Sequence, residues 1–420
     1  MNNPLLNAVQ EKKQILYISY DGMTDPLGQS QILPYICGLS ANGYAFTLIS
    51  CEKKARFQAG KDVIENICRE NNIHWVPLFY TKKPPILSTL KDVFSIWQKA
   101  VSLHKQKNFA MVHTRIGIPS VVGLRLKKKY GIKFFHDIRG FYADDRVDGG
   151  MWNLKNPVFR SVYHYFKKHE QACLQYADAI TCLTFKARKI FHEAAPANAN
   201  VQSMAVIPCA VDTKLFDPAR ITAEEQQLLR ARFGFEKEDQ VFSYLGSIGG
   251  WYLTQDMIRL LGVIYQHIPK AKFLFISPDR HHEIKQMCLQ AGMPDTDVHT
   301  VYAKRSEIPA LLSLSAFSVF FIKACYSKQA ASPTKHGEIM SMGIPVISNS
   351  GVGDVDEIIN TYKSGILIPE LTDDAYQKAI TEIKSFNKDE AAIRQGAIEF
   401  YSLDKALAQY LAIYKNTLTD

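Results

Sequence analysis

Short runs of β-branched and aromatic residues alternate with longer helix-patterned segments along the whole chain of 420 residues. The strand candidates are residues 15–20, 46–50, 74–79, 111–114, 133–137 and 179–183, and then 241–245, 272–277, 298–302, 318–322, 345–348 and 366–368. Alternation of this kind predicts a parallel sheet with helices on both faces. Because it occurs twice in a chain long enough for two cores, we expect two doubly wound, Rossmann-like α/β domains, over residues 1–205 and 206–399.

In an open parallel sheet, ligands bind beyond the carboxyl ends of the strands, at the point where the strand order reverses. Two such domains facing each other form a cleft with one side for each of two substrates. Candidate binding residues are therefore expected in the segments that follow the predicted strands.

The composition excludes several protein classes. Hydrophobic residues make up 47% and charged residues 22% of the chain, which is typical of a folded globular protein and excludes intrinsic disorder. The uncharged apolar stretch at residues 308–322 is shorter than the ~18 residues of a membrane-spanning helix. Eight cysteines without a CxxC pair argue against a zinc site or a disulfide scaffold, and residues 1–14 lack the apolar core of a signal peptide. Both observations predict a cytoplasmic protein with reduced thiols.

The charge is unevenly distributed. Residues 1–200 hold 28 Lys and Arg against 15 Asp and Glu, whereas residues 201–420 hold 22 against 26. One interpretation is uneven solvation of two ordinary surfaces. The other is an anionic partner for the first half: a lipid diphosphate, a phospholipid surface at the inner face of the membrane, or nucleic acid. Nucleic acid ranks last, because the basic stretch lacks the interleaved aromatic residues of a recognisable module.

Residues 88–101 carry apolar side chains at helical spacing: Leu90, Phe94, Trp97 and Val101. The spacing predicts a helix whose apolar face packs on the core. Since Lys82 and Lys83 lie nearby, contact of this helix with a membrane is the alternative.

The strongest local signal lies at residues 331–340. Ser332 is a favourable helix N-cap, and Pro333 suits the first helical position because its missing N–H would be unpaired there. The first turn, including Thr334, presents N–H groups and a partial positive charge that favour phosphate. Lys335 in that turn is locally unfavourable unless an anion is bound, and Glu338 can accept hydrogen bonds from sugar hydroxyls. The alternative is a capped helix with two exposed charges, which the rest of the sequence disfavours.

Two Gly-rich turns follow strands of the second half. Gly351 and Gly353 are spaced to let the backbone approach a ligand closely and form an anion-binding nest. Ser247 lies in the turn at residues 246–250, after the first strand of that half. Turns of this type also reverse the chain without any ligand, so each is weak evidence by itself.

The first half has long polar segments at its strand ends. Residues 21–30, which include Gly28, and residues 138–152 are longer and richer in charge than ordinary connections. The polar side chains at these strand ends are Gln29, Arg115, His136, Asp137, Arg139 and Arg146. They indicate substrate recognition, although a salt-bridged surface loop and a hydrogen-bonded scaffold histidine are the alternatives.

Taken together, these segments resemble the retaining glycosyltransferases of family 4, which have the GT-B architecture. The resemblance covers nearly the whole chain and rests on residues 21–30, on the pair His136-Asp137 and on residues 177–180 before a strand. Residues 207–212 are similar to the family's interdomain Pro-Asn-Gly-Val-Asp, and residues 337–347 to its most diagnostic stretch.

The resemblance implies a nucleotide-sugar donor on the second domain and a carbohydrate or lipid-linked acceptor on the first, with the final helix crossing back. Glu338 matches the second glutamate of the donor motif, which holds the ribose, whereas Ala330 stands where the first is expected. Ser247 and Tyr252 stand at the family's phosphate-binding Arg and Lys. Lys335 is therefore expected to replace these cations, because the leaving-group charge must be neutralised.

Lys323 and Arg305 are further candidates for this replacement. The expected donor-binding residues are Gly28, Ser247, Ser332, Thr334, Lys335, Glu338, Gly351 and Gly353. The expected acceptor-binding residues are Gln29, Arg115, His136, Asp137, Arg139 and Arg146, with the arginines holding an acidic or phosphorylated acceptor. Lys335, Glu338 and His136 are the expected catalytic residues, His136 in a positioning role.

The implied reaction moves a sugar to an acceptor hydroxyl with retention, in bacterial-type polysaccharide or glycoconjugate synthesis. The leaving phosphate assists deprotonation of the acceptor, and neither a cofactor nor a metal is required. The alternatives are an epimerase or phosphorylase of the same fold, or a non-catalytic nucleotide-sugar binder, which the changes at Ala330 and Ser247 admit.

Overall fold

The computed structural model describes residues 12–81, 84 and 86–419, whose strands form two separate parallel sheets. The strands are β1 Lys13–Ile18, β2 Tyr44–Glu52, β3 His74–Phe79, β4 Met111–Arg115, β5 Lys133–Asp137, β6 Ala179–Cys182, β7 Ala205–Val206, β8 Gln240–Leu245, β9 Ala271–Ile276, β10 Val298–Val301, β11 Phe317–Phe320, β12 Val346–Asn349 and β13 Gly365–Ile368. All twelve predicted strands are confirmed to within two residues at each end, and the short β7 is an addition.

The helices cover both faces of the sheets. They are α1 Pro26–Gln31, α2 Leu33–Ala41, α3 Lys54–Glu70, α4 Leu87–Lys107, α5 Ile118–Tyr130, α6 Tyr142–Asp148, α7 Pro157–Tyr176, α8 Phe185–Ala194, α9 Ala223–Phe233, α10 Thr254–His267, α11 His281–Gln290, α12 Ile308–Leu312, α13 Thr334–Ser341, α14 Val355–Tyr362, α15 Asp373–Ser385, α16 Glu390–Tyr401 and α17 Leu403–Leu418. No helix within the described ranges is both long and apolar enough to cross a bilayer.

The strand order fixes where ligands can bind. The first sheet runs β3-β2-β1-β4-β5-β6-β7 and the second β10-β9-β8-β11-β12-β13, all in parallel register. In both sheets the order reverses beside the first strand of that half, between β1 and β4 and between β8 and β11. The predicted class, α/β with two doubly wound sheets, is confirmed, and the loops that follow these strands meet at the carboxyl edges.

The orientation predicted for α4 is confirmed for Trp97 and Val101, which pack on the core, and is wrong for Leu90 and Phe94. Leu90 and Phe94 are 59% and 57% exposed, whereas Asp92 and Ile96 are buried. The Asp92 carboxylate accepts hydrogen bonds from the Tyr20 hydroxyl at 2.6 Å and from the Thr81 N–H at 3.2 Å. These bonds hold Asp92 inward beside the buried Ile96 and Ala100, and Leu90 and Phe94 on the outer side of the same helix face solvent.

The final helix, α17, packs on the first sheet although it follows the second. Tyr414 is fully buried, packs on Phe46 and shares a hydrogen bond of 2.7 Å with Nδ1 of His113. At the start of the crossing, the Val211 N–H donates to the Tyr401 carbonyl, and the Leu403 N–H donates back to the Val211 carbonyl. The two halves are thus joined by two adjacent chain crossings.

Gly337 on α13 tests how tightly this crossing is packed. A Cβ at Gly337 would lie 2.7 Å from Cγ of Tyr401 and 2.9 Å from Cγ2 of Val211. We expect Gly337→Ala to lower the free energy of unfolding in urea by about 1–3 kcal/mol, because neither neighbour is a flexible side-chain end. The matched control is Gly60→Ala on α3, where the nearest atom lies 3.7 Å away and helix propensity predicts a gain of about 0.5–1 kcal/mol. Equal effects of the two substitutions would contradict the packing argument.

Candidate active site

A cavity of about 350 Å³ lies between the two halves, at the carboxyl ends of β1, β4, β5 and β11. Its wall is polar and apolar in about equal parts and carries four cationic side chains against two carboxylates. The lining residues are Tyr20, Asp21, Leu27, Arg115, Ile116, Ile118, Arg139, Gly140, Phe141, Tyr142, Asp145, Arg146, Ser327, Lys328, Ala330 and Ala331. Of the expected acceptor-binding residues, the structure brings Arg115, Arg139 and Arg146 together here.

Two of these arginines are held by one residue that the sequence analysis missed. Arg115 donates to the backbone oxygen of Gln31 at 3.2 Å, and Arg139 donates to its side-chain Oε1, also at 3.2 Å. Gln31 is 4% exposed, and its Nε2 donates to the Ala210 carbonyl in the segment that joins the halves. Gln29, which we expected at this place, is exposed and bonds only weakly to Thr24 in its own loop.

Asp137 is the buried carboxylate nearest to Arg139. Its carboxylate accepts a hydrogen bond of 2.8 Å from the Thr181 hydroxyl and lies 3.7 Å from Nε2 of His113 and 3.9 Å from the Arg139 guanidinium. Burial opposes ionisation of Asp137, but the positive charge of Arg139 and the nearby His113 ring outweigh it and hold the pKa of Asp137 below its ordinary value. Asp137 therefore positions a cavity residue but does not line the cavity.

The structure argues against a substrate contact for His136. This side chain is 1% exposed and lies beside His169 over a small void that also meets Ser120 and Glu170. Burial, reinforced by His169, lowers the pKa of His136 to about 3. Because neighbouring residues of a strand face opposite sides of the sheet, the His136 side chain lies against α5 and α7. The Asp137 side chain faces the other side, towards Arg139.

The loop after β1 is built around a buried carboxylate. Glu52 is fully buried and accepts hydrogen bonds from the N–H groups of Met23 at 2.7 Å and Thr24 at 3.2 Å. Gly28 does not face the second half as we expected: a Cβ there would lie 2.2 Å from the Gly22 carbonyl oxygen. Gly28 is thus required for the fold of its own loop, which brings Asp21 within 3.5 Å of Arg115.

The short helical segment after β11 closes the cavity from the second half. Lys328 forms an ion pair with Asp145 of α6, and its ammonium lies 3.5 Å above the Trp251 ring. The Ser327 N–H donates to the Asp148 carboxylate at 2.9 Å. Arg146 stacks on the Tyr142 ring at 3.5 Å on the same wall. Lys328 was also missed; its only sequence signal is its place two residues before Ala330.

Lys335 lies at the carboxyl edge of the second sheet. It is 7% exposed, and its ammonium lies 4.5 Å from the ring centre of Tyr244 and 3.8 Å from that of Tyr252. A Cβ at Gly246, whose φ is +115°, would lie 3.0 Å from Nζ, so a glycine makes room for the ammonium. Burial lowers the pKa of Lys335 to about 7, with Glu338 opposing the shift. Tyr252 therefore supplies a ring face, rather than a charge, where a lysine was expected.

Glu338 is buried beside Lys335 and bonded to a different cation. Its carboxylate accepts a hydrogen bond of 2.7 Å from Arg305. Lys323 donates to the Asp148 carbonyl at 3.0 Å. Both residues that we considered as helpers of Lys335 thus have partners in the protein, and Lys335 is the stronger candidate for binding an anion.

The entry to α13 differs from the prediction by one residue. The N-cap is Pro333, and the helix begins at Thr334. Ser332 does not cap the helix, because its hydroxyl accepts a hydrogen bond of 3.1 Å from the Cys209 N–H in the interdomain segment. Ser332 therefore ties α13 to the crossing, and Thr334 occupies the first turn with Lys335.

The predicted anion nest at Gly351 and Gly353 is not free to bind a ligand. The Gly351 N–H lies 3.2 Å from the Asp356 carboxylate, and the Gly353 N–H donates to the Lys328 carbonyl at 2.8 Å. A Cβ at Gly353 would lie 1.9 Å from the Ala331 carbonyl oxygen, so this glycine permits close packing of two loops. Ser247 is exposed, and its carbonyl accepts a hydrogen bond from the Tyr244 hydroxyl.

The arrangement suits an anionic ligand with a polar body. The first turn of α13 and the buried Lys335 offer positive charge to a phosphate, and Glu338 accepts hydrogen bonds at the same edge. The adjoining cavity, lined by Arg115 and Arg139, has the size of a small-molecule site. The geometry therefore supports binding of a phosphorylated ligand across two facing sheets.

Comparison with known proteins agrees with this arrangement. The family model described as Glycosyltransferase Family 4 matches residues 35–215, and the model Glycosyl transferases group 1 matches residues 225–400. Together the two models span most of the chain. No curated protein matches the sequence significantly.

Solved structures share the fold at low identity. A glycosyltransferase from Rickettsia africae has a TM-score of 0.73 and 18% identity, over 97% of this chain and 99% of that one. Sucrose-phosphate synthase from Thermosynechococcus elongatus has a TM-score of 0.69 and 15% identity, over 96% of this chain and 99% of that one. HepE of Anabaena, in complex with UDP and glucose, has a TM-score of 0.68 and 12% identity, over 96% of this chain and 100% of that one. The family models and this shared architecture identify the chain as a GT-B glycosyltransferase of the family 4 type.

Proposed function

We propose that the enzyme transfers a glycosyl group from a nucleoside diphosphate sugar to an acceptor hydroxyl, with retention of configuration. The observation that carries this proposal is the buried Lys335 ammonium in the first turn of α13. It touches aromatic rings, and within the described residues no carboxylate lies at ion-pair distance from it. A buried ammonium without a counter-ion is costly, and a diphosphate would supply the missing charge. HepE, which shares the fold, binds UDP and glucose.

The proposed reaction uses these residues as follows. The bond between the sugar C1 and the donor phosphate oxygen breaks, and a bond from C1 to the acceptor oxygen forms on the same face. The acceptor proton passes to the departing phosphate, whose charge Lys335 and the α13 N-terminus stabilise. Glu338, held by Arg305, orients the nucleotide. This route requires no protein base, in keeping with the buried position of His136.

The proposal extends to the cellular setting: a carbohydrate or lipid-linked acceptor in polysaccharide or glycoconjugate synthesis, on the cytoplasmic side of a membrane. The support is a surface, here called the α4 stripe, formed by exposed Leu87, Leu90 and Phe94. Lys129 of α5 lies near it, 5.6 Å from the ring of Trp97 on α4. Lys82 and Lys83 lie outside the described residues. Apolar side chains beside lysines suit an anionic bilayer surface.

Transfer itself is tested by incubating the enzyme with UDP- and GDP-activated sugars, with and without a membrane lipid extract as acceptor source. We expect acceptor-dependent release of the nucleoside diphosphate. Lys335→Ala and Glu338→Ala should each lower kcat by about 10²-fold or more, since the first removes leaving-group stabilisation and the second disorders the donor. Lys237→Ala, on an exposed loop of the same half, is the matched control. Conversion of a nucleotide sugar to another nucleotide sugar without release of the nucleoside diphosphate would identify an epimerase instead.

The titration of Lys335 gives a second test. Its pKa of about 7 should rise when a diphosphate binds, so binding above pH 7 takes up a proton. Affinity for UDP or GDP should therefore fall with rising pH, approaching about tenfold per pH unit. Calorimetry in buffers of different ionisation enthalpy measures the proton uptake directly. Lys335→Arg stays charged and should bind without proton uptake; a wild-type affinity that is constant from pH 7 to 9 would contradict the role of Lys335.

The α4 stripe is tested with anionic vesicles of phosphatidylglycerol. We expect Leu90→Ser with Phe94→Ser to lower the partition coefficient onto vesicles by about 100-fold or more, because about 1.5–3 kcal/mol of burial is lost per side chain. Replacing Lys128 and Lys129 should also weaken binding, whereas Lys127 is held by Asp178 at 2.7 Å and should contribute less. Leu228→Ser, a 72% exposed leucine of the second half, is the control. Unchanged co-sedimentation of the double variant would remove the membrane from the proposal.

A further inference from the structure

Arg115 and Arg139 form a buried cationic pair that the proposed reaction does not use. Arg115 is 7% exposed, and the side chain of Arg139 is 5% exposed. Both guanidinium groups donate to the same residue, Gln31, so two like charges are held side by side. They follow β4 and β5, on the opposite half of the molecule from Lys335.

The protein leaves the hydrogen-bonding capacity of this pair incompletely filled, although each arginine has one carboxylate near it. Nε of Arg139 is buried and has no hydrogen-bond partner among the described residues. Asp137 lies 3.9 Å from Arg139, beyond hydrogen-bond distance, and is already bonded to Thr181. Asp21 reaches Arg115 at 3.5 Å, but its side chain is 47% exposed. Buried guanidinium groups with unfilled donor capacity are costly unless an anion binds.

The surroundings of the pair favour an anion in the cavity. The facing wall contributes Ala330 and Ala331, which carry no charge. Lys328 on that wall is neutralised by Asp145, so it neither needs nor repels a further anion. Planar guanidinium groups bind carboxylates and phosphates through two parallel hydrogen bonds. One oxyanion between Arg115 and Arg139 would give both guanidinium groups a further acceptor.

We propose that the Arg115–Arg139 pair is a subsite for a carboxylate or phosphate on the sugar in the cavity, separate from the donor diphosphate at Lys335. This inference rests on the proposed function. The substrate class is then an acidic sugar: a uronic acid, as donor or acceptor, or a sugar phosphate as acceptor. The diphosphate itself is assigned to the other half, because Lys335 and the α13 N-terminus lie there.

The test uses Lys335→Ala as background, so that the diphosphate site does not contribute. Thermal unfolding is followed while inorganic phosphate replaces chloride at constant ionic strength. We expect phosphate to raise the unfolding midpoint of Lys335→Ala, and Arg115→Gln with Arg139→Gln to abolish that rise. Lys335→Ala with Arg160→Gln, an exposed arginine of α7, should retain it. Arg139→Lys, which keeps the charge but not the planar fork, covers the case in which the double variant does not fold, and should weaken phosphate binding several-fold.

Two results would overturn the inference: no phosphate effect in Lys335→Ala, or an equal effect after loss of both arginines. The source of the anion is distinguished with glucuronate, glucose 6-phosphate and glucose. At least one acidic sugar should bind more tightly than glucose, by about tenfold or more for a charge-assisted pair of hydrogen bonds. Tighter binding of glucuronate identifies a carboxylate as the recognised group, and tighter binding of glucose 6-phosphate identifies a phosphate. If both bind like glucose, the pair does not recognise the sugar. Failure of nucleoside diphosphates to bind through Lys335 would instead contradict the proposed function and leave this subsite standing.

Discussion

The architecture depends on the extended segment around Cys209, Ala210 and Val211, which both halves hold by hydrogen bonds. The Cys209 N–H donates to Ser332 at the entry to α13, and the Ala210 N–H donates to the Tyr35 hydroxyl of α2. The Val211 N–H bonds to the end of α16. Since each consecutive N–H is taken by a different element, this short stretch sets the position of α13 relative to the first sheet.

Gln31 extends this constraint into the cavity. Its amide donates to the Ala210 carbonyl, while its two oxygens accept from Arg115 and Arg139. A network of Asp137, His113 and Tyr414 then connects Arg139 to the returning helix α17. The cations of the cavity are consequently fixed by the same contacts that join the two halves. Their directions are preorganised, which is the condition for strong electrostatic recognition in a partly dry site.

The positive charge of the cleft is divided between its two walls. On the second half, one buried lysine lies in the first turn of α13, with its ammonium against two aromatic rings. On the first half, Arg115 and Arg139 are buried side by side, and Nε of Arg139 has no hydrogen-bond partner among the described residues. The other cations of the cleft described above, Lys328, Arg305, Lys323 and Arg146, are bonded to acceptors within the protein. This division is the physical basis for assigning two anionic groups to two places rather than one.

The sequence by itself determined the alternation of strands and helices, the doubling of the sheet and the place of Lys335 and Glu338 on one helix. These follow from local periodicity, turn residues and capping preferences, which act over a few residues. The order of the predicted strands along the chain also indicated that Arg115, Arg139 and Arg146 follow strand ends. The structure brings these three arginines to one cavity.

Only the tertiary structure decided which of these groups remain available for a ligand. Adjacent His136 and Asp137 face opposite sides of β5. The packing of the helices determines that His136 lies in a buried void and that Asp137 lies near Arg139 of the cavity. Gly351, Gly353 and Ser332 had the right chemistry for an anion, but partners distant in the chain take up their hydrogen bonds. Gln31 and Lys328 carried no local signal, because their roles arise from contacts across 84 or more residues. A hydrogen bond is satisfied by whichever group the fold brings near, and that choice is made by long-range packing.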